Sequence, residues 1–392
     1  MKKITLITVV VLFGTQGLSA VNKQFKSVNK RSNLNIIVDY KTEYIENLDE
    51  NIAANTKNRT TNLNRLNVEA LYGKKLNKKA KFTSSTKLKS SIGSTKELYK
   101  NLNIINDKNI DTEIRELALV QEFSGVYKFN KKVSVNAIGE VKTFKGHSVE
   151  EEIESTENNY HIIDESHTKY SLGLGGKVKI IKGHITQGLY KFSEFLYDDV
   201  YTYDKKQGSN DRRVHSFGLL HKFRTKGKTI YKASIQYDQI FYKDRLSLDS
   251  NGFFQNTGEV DASNIVDQSV KISAKFKEGL TFGLTKVNRL DKVSSGDTNE
   301  KNAINLNYIK NMDRFGISIG GEVFKKIYKG QKADDGVAKR VDDTSIVKLM
   351  ANYNHAKNLK SQLTYQTTQQ ASNNSFGEFT TNSFSLELKK TF

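Results

Sequence analysis

Residues 33–45, NLNIIVDYKTEYI, decide the fold. Leu34, Ile36, Val38, Tyr40, Thr42 and Tyr44 take every second position, and Asn33, Asn35, Asp39, Lys41 and Glu43 lie between them. A period of two puts the first set on one face of a β-strand and the second on the other. On a helix the same apolar residues would be smeared around the whole cylinder.

The alternation recurs along the chain as pairs of strands joined by short turns rich in Lys, Asn and Gly, with longer polar segments between pairs. Turns fall near residues 73–80, 129–132, 180–183, 224–227, 276–279, 310–314 and 354–358. In the fourth pair Thr229, Tyr231, Ala233, Ile235, Tyr237 and Phe241 alternate with Lys228, Lys232, Ser234, Gln236 and Asp238. No soluble sheet interior accommodates that second face. Strands of roughly nine to thirteen residues match the tilted strand that crosses a hydrocarbon core. An unpaired first strand and a last one ending at Phe392 bring the count to about sixteen, within a range of roughly 14 to 18. The expected fold is all-β: a transmembrane antiparallel up-and-down β-barrel over residues 33–392. A solenoid would need a fixed repeat, and the sequence has none.

Composition alone points elsewhere. Hydrophobic residues are 36% of the 392, and the mean hydropathy is −0.59, which suits a polar soluble or partly disordered chain. Disordered chains, however, lack aromatic residues, and this one carries 18 Tyr and 21 Phe in alternating patterns. Low mean hydropathy with strong local alternation is what a wall between lipid and water requires. Tyr72, Tyr127, Phe129, Phe223, Tyr308 and Phe315 sit beside the turns, where a ring with an apolar body suits a membrane interface.

Residues 1–20, MKKITLITVVVLFGTQGLSA, read as a signal peptide, with Lys2 and Lys3 before the apolar stretch Ile4 to Phe13. That stretch is too short for a membrane-spanning helix, and no longer uncharged apolar segment follows it. Residues 21–32 are expected to form a short periplasmic N-terminal segment. With no Cys there is no disulfide, thiolate metal site or thiol nucleophile. The absence of Pro and Trp has no physical account here.

The formal charge is +19, but no nucleic-acid-binding module accompanies it. His147, His161, His167, His184, His215, His221 and His355 lack metal-ligand spacing, so neither metal nor cofactor is expected. Ser216 beside His215 belongs to no catalytic motif. Gly173, Gly175 and Gly176 fall inside a strand, not between a strand and a helix, so they make no phosphate-cradling loop. Asp198, Asp199 and Asp204 read as a solvated acidic loop. No enzyme chemistry emerges.

Phe392 ends the chain, and Phe384, Leu386 and Leu388 share its face. This resembles the C-terminal signature read by the barrel assembly machinery in outer-membrane proteins of Gram-negative bacteria, departing from it at Lys390. In strand pattern and C-terminal Phe, the whole chain after the signal resembles the sixteen-stranded general diffusion porins. The resemblance implies an outer-membrane protein embedded in outer-membrane lipid, as a homotrimer or a monomer. It also implies passive diffusion of ions and small hydrophilic solutes. In those porins an acidic third loop folds inward to face basic wall residues. That assigns Glu150, Glu151, Glu152, Glu154 and Glu157 to a constriction loop opposite Arg65, Lys87, Lys89 and Lys142, although the Pro-Glu-Phe-Gly-Gly motif of that loop is missing.

By alternation Arg65, Lys87, Lys89, Lys142, Lys232, Lys271 and Lys348 line the pore. Lys41, Lys81, Lys228, Lys275, Lys360 and Lys389 are assigned to the same face, against Asp39, Glu43, Glu69, Glu140, Asp238, Glu322 and Glu387. A net positive lumen gives a weak anion preference. The alternative is a surface-exposed adhesin or receptor that uses the barrel as an anchor, though its charged loops show no apolar patch for a partner.

Overall fold

The stripe of residues 33–45 lies within one strand, β1 (Ser32–Asp49), at the seam of a closed barrel. The computed structural model describes residues 32–49, 55–101, 108–154, 157–164, 166–197, 200–202, 205–207, 211–243, 264–292, 296, 298–374 and 377–392. The residues read as a signal peptide and an N-terminal segment lie outside them, apart from Ser32.

The first half of the wall is β1, β2 (Asn55–Lys75), β3 (Ala80–Asn101), β4 (Lys108–Lys128), β5 (Val133–Glu154), β6 (Glu157–Asp164), β7 (His167–Lys179) and β8 (His184–Tyr197). A small separate hairpin follows, β9 (Val200–Thr202) with β10 (Lys205–Gln207). The wall resumes with β11 (Arg212–Arg224), β12 (Ile230–Tyr242), β13 (Asn264–Lys275), β14 (Leu280–Asp291) and β15 (Asn299–Met312). It ends with β16 (Phe315–Lys332), β17 (Lys339–Ala356), β18 (Leu359–Ser372) and β19 (Phe379–Thr391). Because β6 continues the line of β7 along β5, these make sixteen staves, each antiparallel to its sequence neighbours. β19 closes on β1, with Leu388 opposite Tyr40 and Leu386 opposite Thr42. Closure leaves no unpaired edge.

Short turns occupy one end of the barrel, at residues 76–79, 129–132, 180–183, 225–229, 276–279, 313–314 and 357–358. All seven fall where the sequence places them. In the turn after β11 Lys228 has φ 66°, so it belongs to that turn and not to the inner face of β12, where alternation had assigned it. Asn77 and Asn130 close two of the others by accepting the backbone N–H groups of Lys79 and Ala80 and of Lys132 and Val133.

Register keeps one face apolar around the wall. Ile272, Leu284, Ile304 and Val323 lie opposite one another on β13 to β16, and every one is exposed. Leu88 and Leu119 do the same on β3 and β4, and Leu386 and Leu363 on β19 and β18. A soluble monomer rarely exposes more than a few hundred Å² of contiguous apolar surface. This face is built for hydrocarbon. Tyr127, Phe315 and Tyr353 rim the band at the short-turn end, also exposed.

The opposite face carries small polar residues packed against each other. Ser171 and Ser193 are 2.9 Å apart, as are Thr61 and Thr95, and Ser318 donates to Asn307 at 2.9 Å. On this face Gly175 allows close approach: a Cβ there would lie 2.6 Å from Asn136 Oδ1 and 3.0 Å from the Gly188 carbonyl oxygen.

The staves run from 12 residues in β14, within the length alternation implies, to 22 in β3 and β5, well beyond it. Apolar–polar alternation stops where the hydrocarbon stops, but backbone pairing does not. Above the band β2 to β5 continue as paired strands with polar residues on both faces, and hydropathy cannot distinguish such a stretch from a loop.

Candidate channel lining

Seven neighbouring staves, β1 to β5, β7 and β8, carry the densest charge on the inner face. On β1 and β2, Arg65 Nη1 lies 2.8 Å from Glu43 Oε2 and Lys41 Nζ lies 3.0 Å from Glu43 Oε1. On β3 and β4, Lys87 Nζ lies 2.6 Å from Glu122 and 3.9 Å from Glu69, whose Oε1 also accepts from Ser85 at 2.6 Å. Lys89 sits two residues further along β3. On β5 and β7, Glu140 is held between Lys169 at 2.6 Å and Lys191 at 3.5 Å, and Lys142 Nζ donates to His167 Nε2 at 3.3 Å. Between these groups the wall hollows into a recess of about 340 Å³ lined by Glu69, Ser85, Glu122, Glu140, Ser171 and Lys191.

The other half of the wall repeats the theme. Arg289 grips Asp267 with two bonds, Nε to Oδ1 at 2.8 Å and Nη2 to Oδ2 at 2.7 Å. Such bidentate pairing fixes a guanidinium far better than a lysine pair would. Lys301 Nζ lies 3.1 Å from Glu322. Lys232 on β12 and Lys271 on β13 stand on adjacent staves, and Lys348 on β17 lies further round the wall. All seven cations assigned to the pore by alternation share the face opposite the apolar band.

Aromatic rings also occur on this inner face, where the sequence analysis assigned none. Phe144, His167, Phe195 and Tyr197 cluster toward the long-loop end of β5, β7 and β8, with ring centroids 4.8 to 6.5 Å apart. Cations stack on them: Arg212 lies 4.5 Å from the Phe195 centroid, Lys169 5.4 Å from the same ring, and Lys142 4.9 Å from Phe144. Across the lumen Lys301 lies 3.5 Å from the Phe324 centroid and Arg340 4.7 Å from that of Tyr328. Stacked cations are held to the wall, yet they keep their charge. The signal for these rings was present: Phe144, Phe195, Tyr197, Phe324 and Tyr328 are out of phase with the apolar stripe.

The acidic segment assigned to a constriction is a backbone-paired hairpin. Glu150, Glu151, Glu152 and Glu154 belong to β5 and Glu157 to β6, with Glu154 opposite Glu157 at the tip. Their side chains lie outside the described residues, as do Asp198, Asp199 and Asp204 entirely. The hairpin follows the β5–β7 ladder closely, from Phe144 opposite His167 to His147 opposite Asp164. Its foot is therefore the wall segment that carries Lys142, Lys169 and His167.

His215 points outward, 2.9 Å from the Tyr190 hydroxyl, and Ser216 takes the inward phase, so the two cannot act together as base and nucleophile. Among the described residues no cluster of three or more His, Asp or Glu side chains could hold a metal ion.

A closed sixteen-stranded antiparallel barrel, apolar outside and charged inside, defines a membrane-spanning β-barrel with a polar lumen. No family model and no curated protein matches the chain. Solved structures do. The crystal structure of Acinetobacter baumannii OccAB4 aligns with 93% of this chain and 100% of its own, at 10% identity and a TM-score of 0.48. Pseudomonas aeruginosa OccK8 (OprE) aligns with 92% of this chain and 98% of its own, at 10% identity and 0.46. A BenF-like porin from Pseudomonas fluorescens Pf-5 aligns with 92% and 99%, at 9% identity and 0.49. Likenesses this distant carry no argument about what passes through the present barrel.

Proposed function

We propose that the protein is an outer-membrane, porin-like channel for passive diffusion of ions and small hydrophilic solutes, with a weak preference for anions. The observation that carries this reading is the count of sixteen staves around a charged inner face. About eight strands leave room only for side chains, whereas sixteen to eighteen enclose water. Among the described residues the lumen wall is made mainly of ion pairs, hydroxyls and rings stacked under cations, which suits diffusion of hydrophilic solutes.

The proposal includes export by the signal peptide of residues 1–20 and the short-turn end facing the periplasm. It also includes assembly through Phe384, Leu386, Leu388 and Phe392, and narrowing by the acidic hairpin of β5 and β6. Opposite charge supports the last of these, since the hairpin stands over Lys142 and Lys169. The deciding experiment is single-channel recording of the refolded mature chain in a planar bilayer. Discrete, ohmic conductance steps are expected. A barrel that inserts without conducting would overturn the channel and leave the anchor of an adhesin.

A further inference from the structure

We propose that the outer wall between β3 and β8 holds an anionic phospholipid of the periplasmic leaflet, its acyl chain in a groove and its phosphate against a basic rim. The inference rests on the membrane reading above.

The groove lies at the short-turn end and encloses about 770 Å³. Its floor is Gly125, Ala137, Gly176 and Gly188, and its walls include Phe82, Tyr127, Leu174 and Tyr190. Register explains the hollow: Gly125 faces Ala137 across β4 and β5, and Gly176 faces Gly188 across β7 and β8, so side chains are missing from a contiguous patch of wall. Nothing in the fold demands those glycines. None has a positive φ. A Cβ added at Gly125 or Gly176 would meet nothing within 4 Å, and at Gly188 only the Gly218 carbonyl oxygen at 4.0 Å. A second furrow of about 400 Å³, over Phe217 and Leu219, runs along the other side of Tyr190. Two furrows flanking one ring match a lipid with two chains.

The headgroup chemistry comes from the turns beneath. The groove opens at Leu76 and Ala80, beside Lys78 and Lys79. The next two turns add Lys131 with Lys132, and Lys182, which follows Lys179 at the end of β7. Residues 73–82, 127–134 and 177–185 contain no Asp or Glu, and among the described residues none of these lysines has a carboxylate partner. The opposite side of the barrel differs, with Lys277 beside Glu278 and Asp313 beside Arg314 in its turns. A one-signed rim below an apolar groove fits a phosphate-bearing lipid. A second copy docking by the same face would instead bring like charges together.

The test is native mass spectrometry of the mature barrel released from bilayers of phosphatidylcholine and phosphatidylglycerol in equal parts, with folding checked by circular dichroism. Retention of phosphatidylglycerol over phosphatidylcholine is expected for the wild type. Gly176→Leu with Gly188→Leu, which fills the groove, should abolish retention, whereas Gly321→Leu on the far wall should not. Lys78→Gln, Lys79→Gln, Lys131→Gln and Lys132→Gln should reduce headgroup preference by about fivefold per charge removed. Equal retention by the filled variant, no preference between the two lipids, or release as a dimer without lipid overturns the inference. A barrel that conducts without retaining lipid sinks this inference alone, and one that retains lipid without conducting sinks the channel alone.

Discussion

Phe392 and Ile36 exchange backbone hydrogen bonds across the seam of the barrel: Phe392 N–H donates to the Ile36 oxygen at 2.8 Å, and Ile36 N–H to the Phe392 oxygen at 3.4 Å. The last residue of the chain is thus part of the ladder that closes the sheet. Its ring lies 4.7 Å from Lys390 Nζ, so the lysine that departs from the usual C-terminal signature stacks on the residue that keeps it.

Deleting Phe392 removes both bonds, each worth about 1 kcal/mol, together with the ring. Reduced outer-membrane yield is expected for the deletion and for Phe392→Ala. Lys390→Ala should cost less, about 0.5–1 kcal/mol for a half-exposed stacked cation. Membrane fractionation with a folded-band assay on unheated gels measures all three. Wild-type yield from the truncated chain would remove the assembly role of this strand.

Orientation is separately testable because the chain has no native cysteine. Val337, 85% exposed in the connection between β16 and β17, should be labelled in intact cells as Val337→Cys by an impermeant thiol reagent. Lys131→Cys and Lys226→Cys should react only after the outer membrane is breached. Labelling in the reverse order would invert the barrel.

Strand positions and turns were legible in the sequence because the lipid boundary enforces a strict period of two, as along Thr229 to Phe241. Beyond the hydrocarbon that constraint ends. Hydropathy therefore could not show that β5 continues through Glu150 to Glu154 as a paired strand. Single inward cations such as Lys87 were also legible, but their partners were not: the Lys87–Glu122 pair joins residues far apart in sequence, and only register brings them together. Inward rings such as Phe195 were missed because aromatic residues were read only along the apolar stripe and beside the turns, at the membrane interface.

The connection that presents Val337 is tied by one carboxylate. Asp335 Oδ1 accepts the backbone N–H groups of Val337 and Ala338, both at 2.9 Å, and these bonds hold its carboxyl below the ordinary aspartate range. A folded-state value lowered in this way contributes stability above the unfolded value of about 4 and loses it as pH falls through the folded one. Hydrogen-exchange protection at Val337 and Ala338 should be flat above about pH 4 and be lost only as pH falls further, through the lowered folded-state value. Asp335→Asn should lower it above about pH 4, where the carboxylate is charged. Protection that rises on acidification would contradict the sign.

Ion preference follows from which lumen cations are neutralised. Glu43 faces Arg65, Glu122 faces Lys87, Glu140 faces Lys169, Asp267 faces Arg289 and Glu322 faces Lys301. Lys89, Lys232, Lys271 and Lys348 have no carboxylate within ion-pair distance among the described residues, so they are among the inward cations left without a neutralising partner. Charge of one sign on a wall concentrates the opposite ion. At about 0.15 M salt the Debye length is near 8 Å, so a wide lumen should show only a modest bias, and one that fades as salt rises. Reversal potentials across a salt gradient should therefore report a weak anion preference. Changing all four lysines to Glu should turn it into a cation preference. The hairpin acts in the opposite sense: if it narrows the channel, replacing Glu150, Glu151, Glu152, Glu154 and Glu157 with Gln should strengthen the anion preference and raise the conductance. No change in either quantity would exclude the hairpin from the conduction path. A clear cation preference in the wild type would mean that these carboxylates, and not the wall lysines, set the narrowest point.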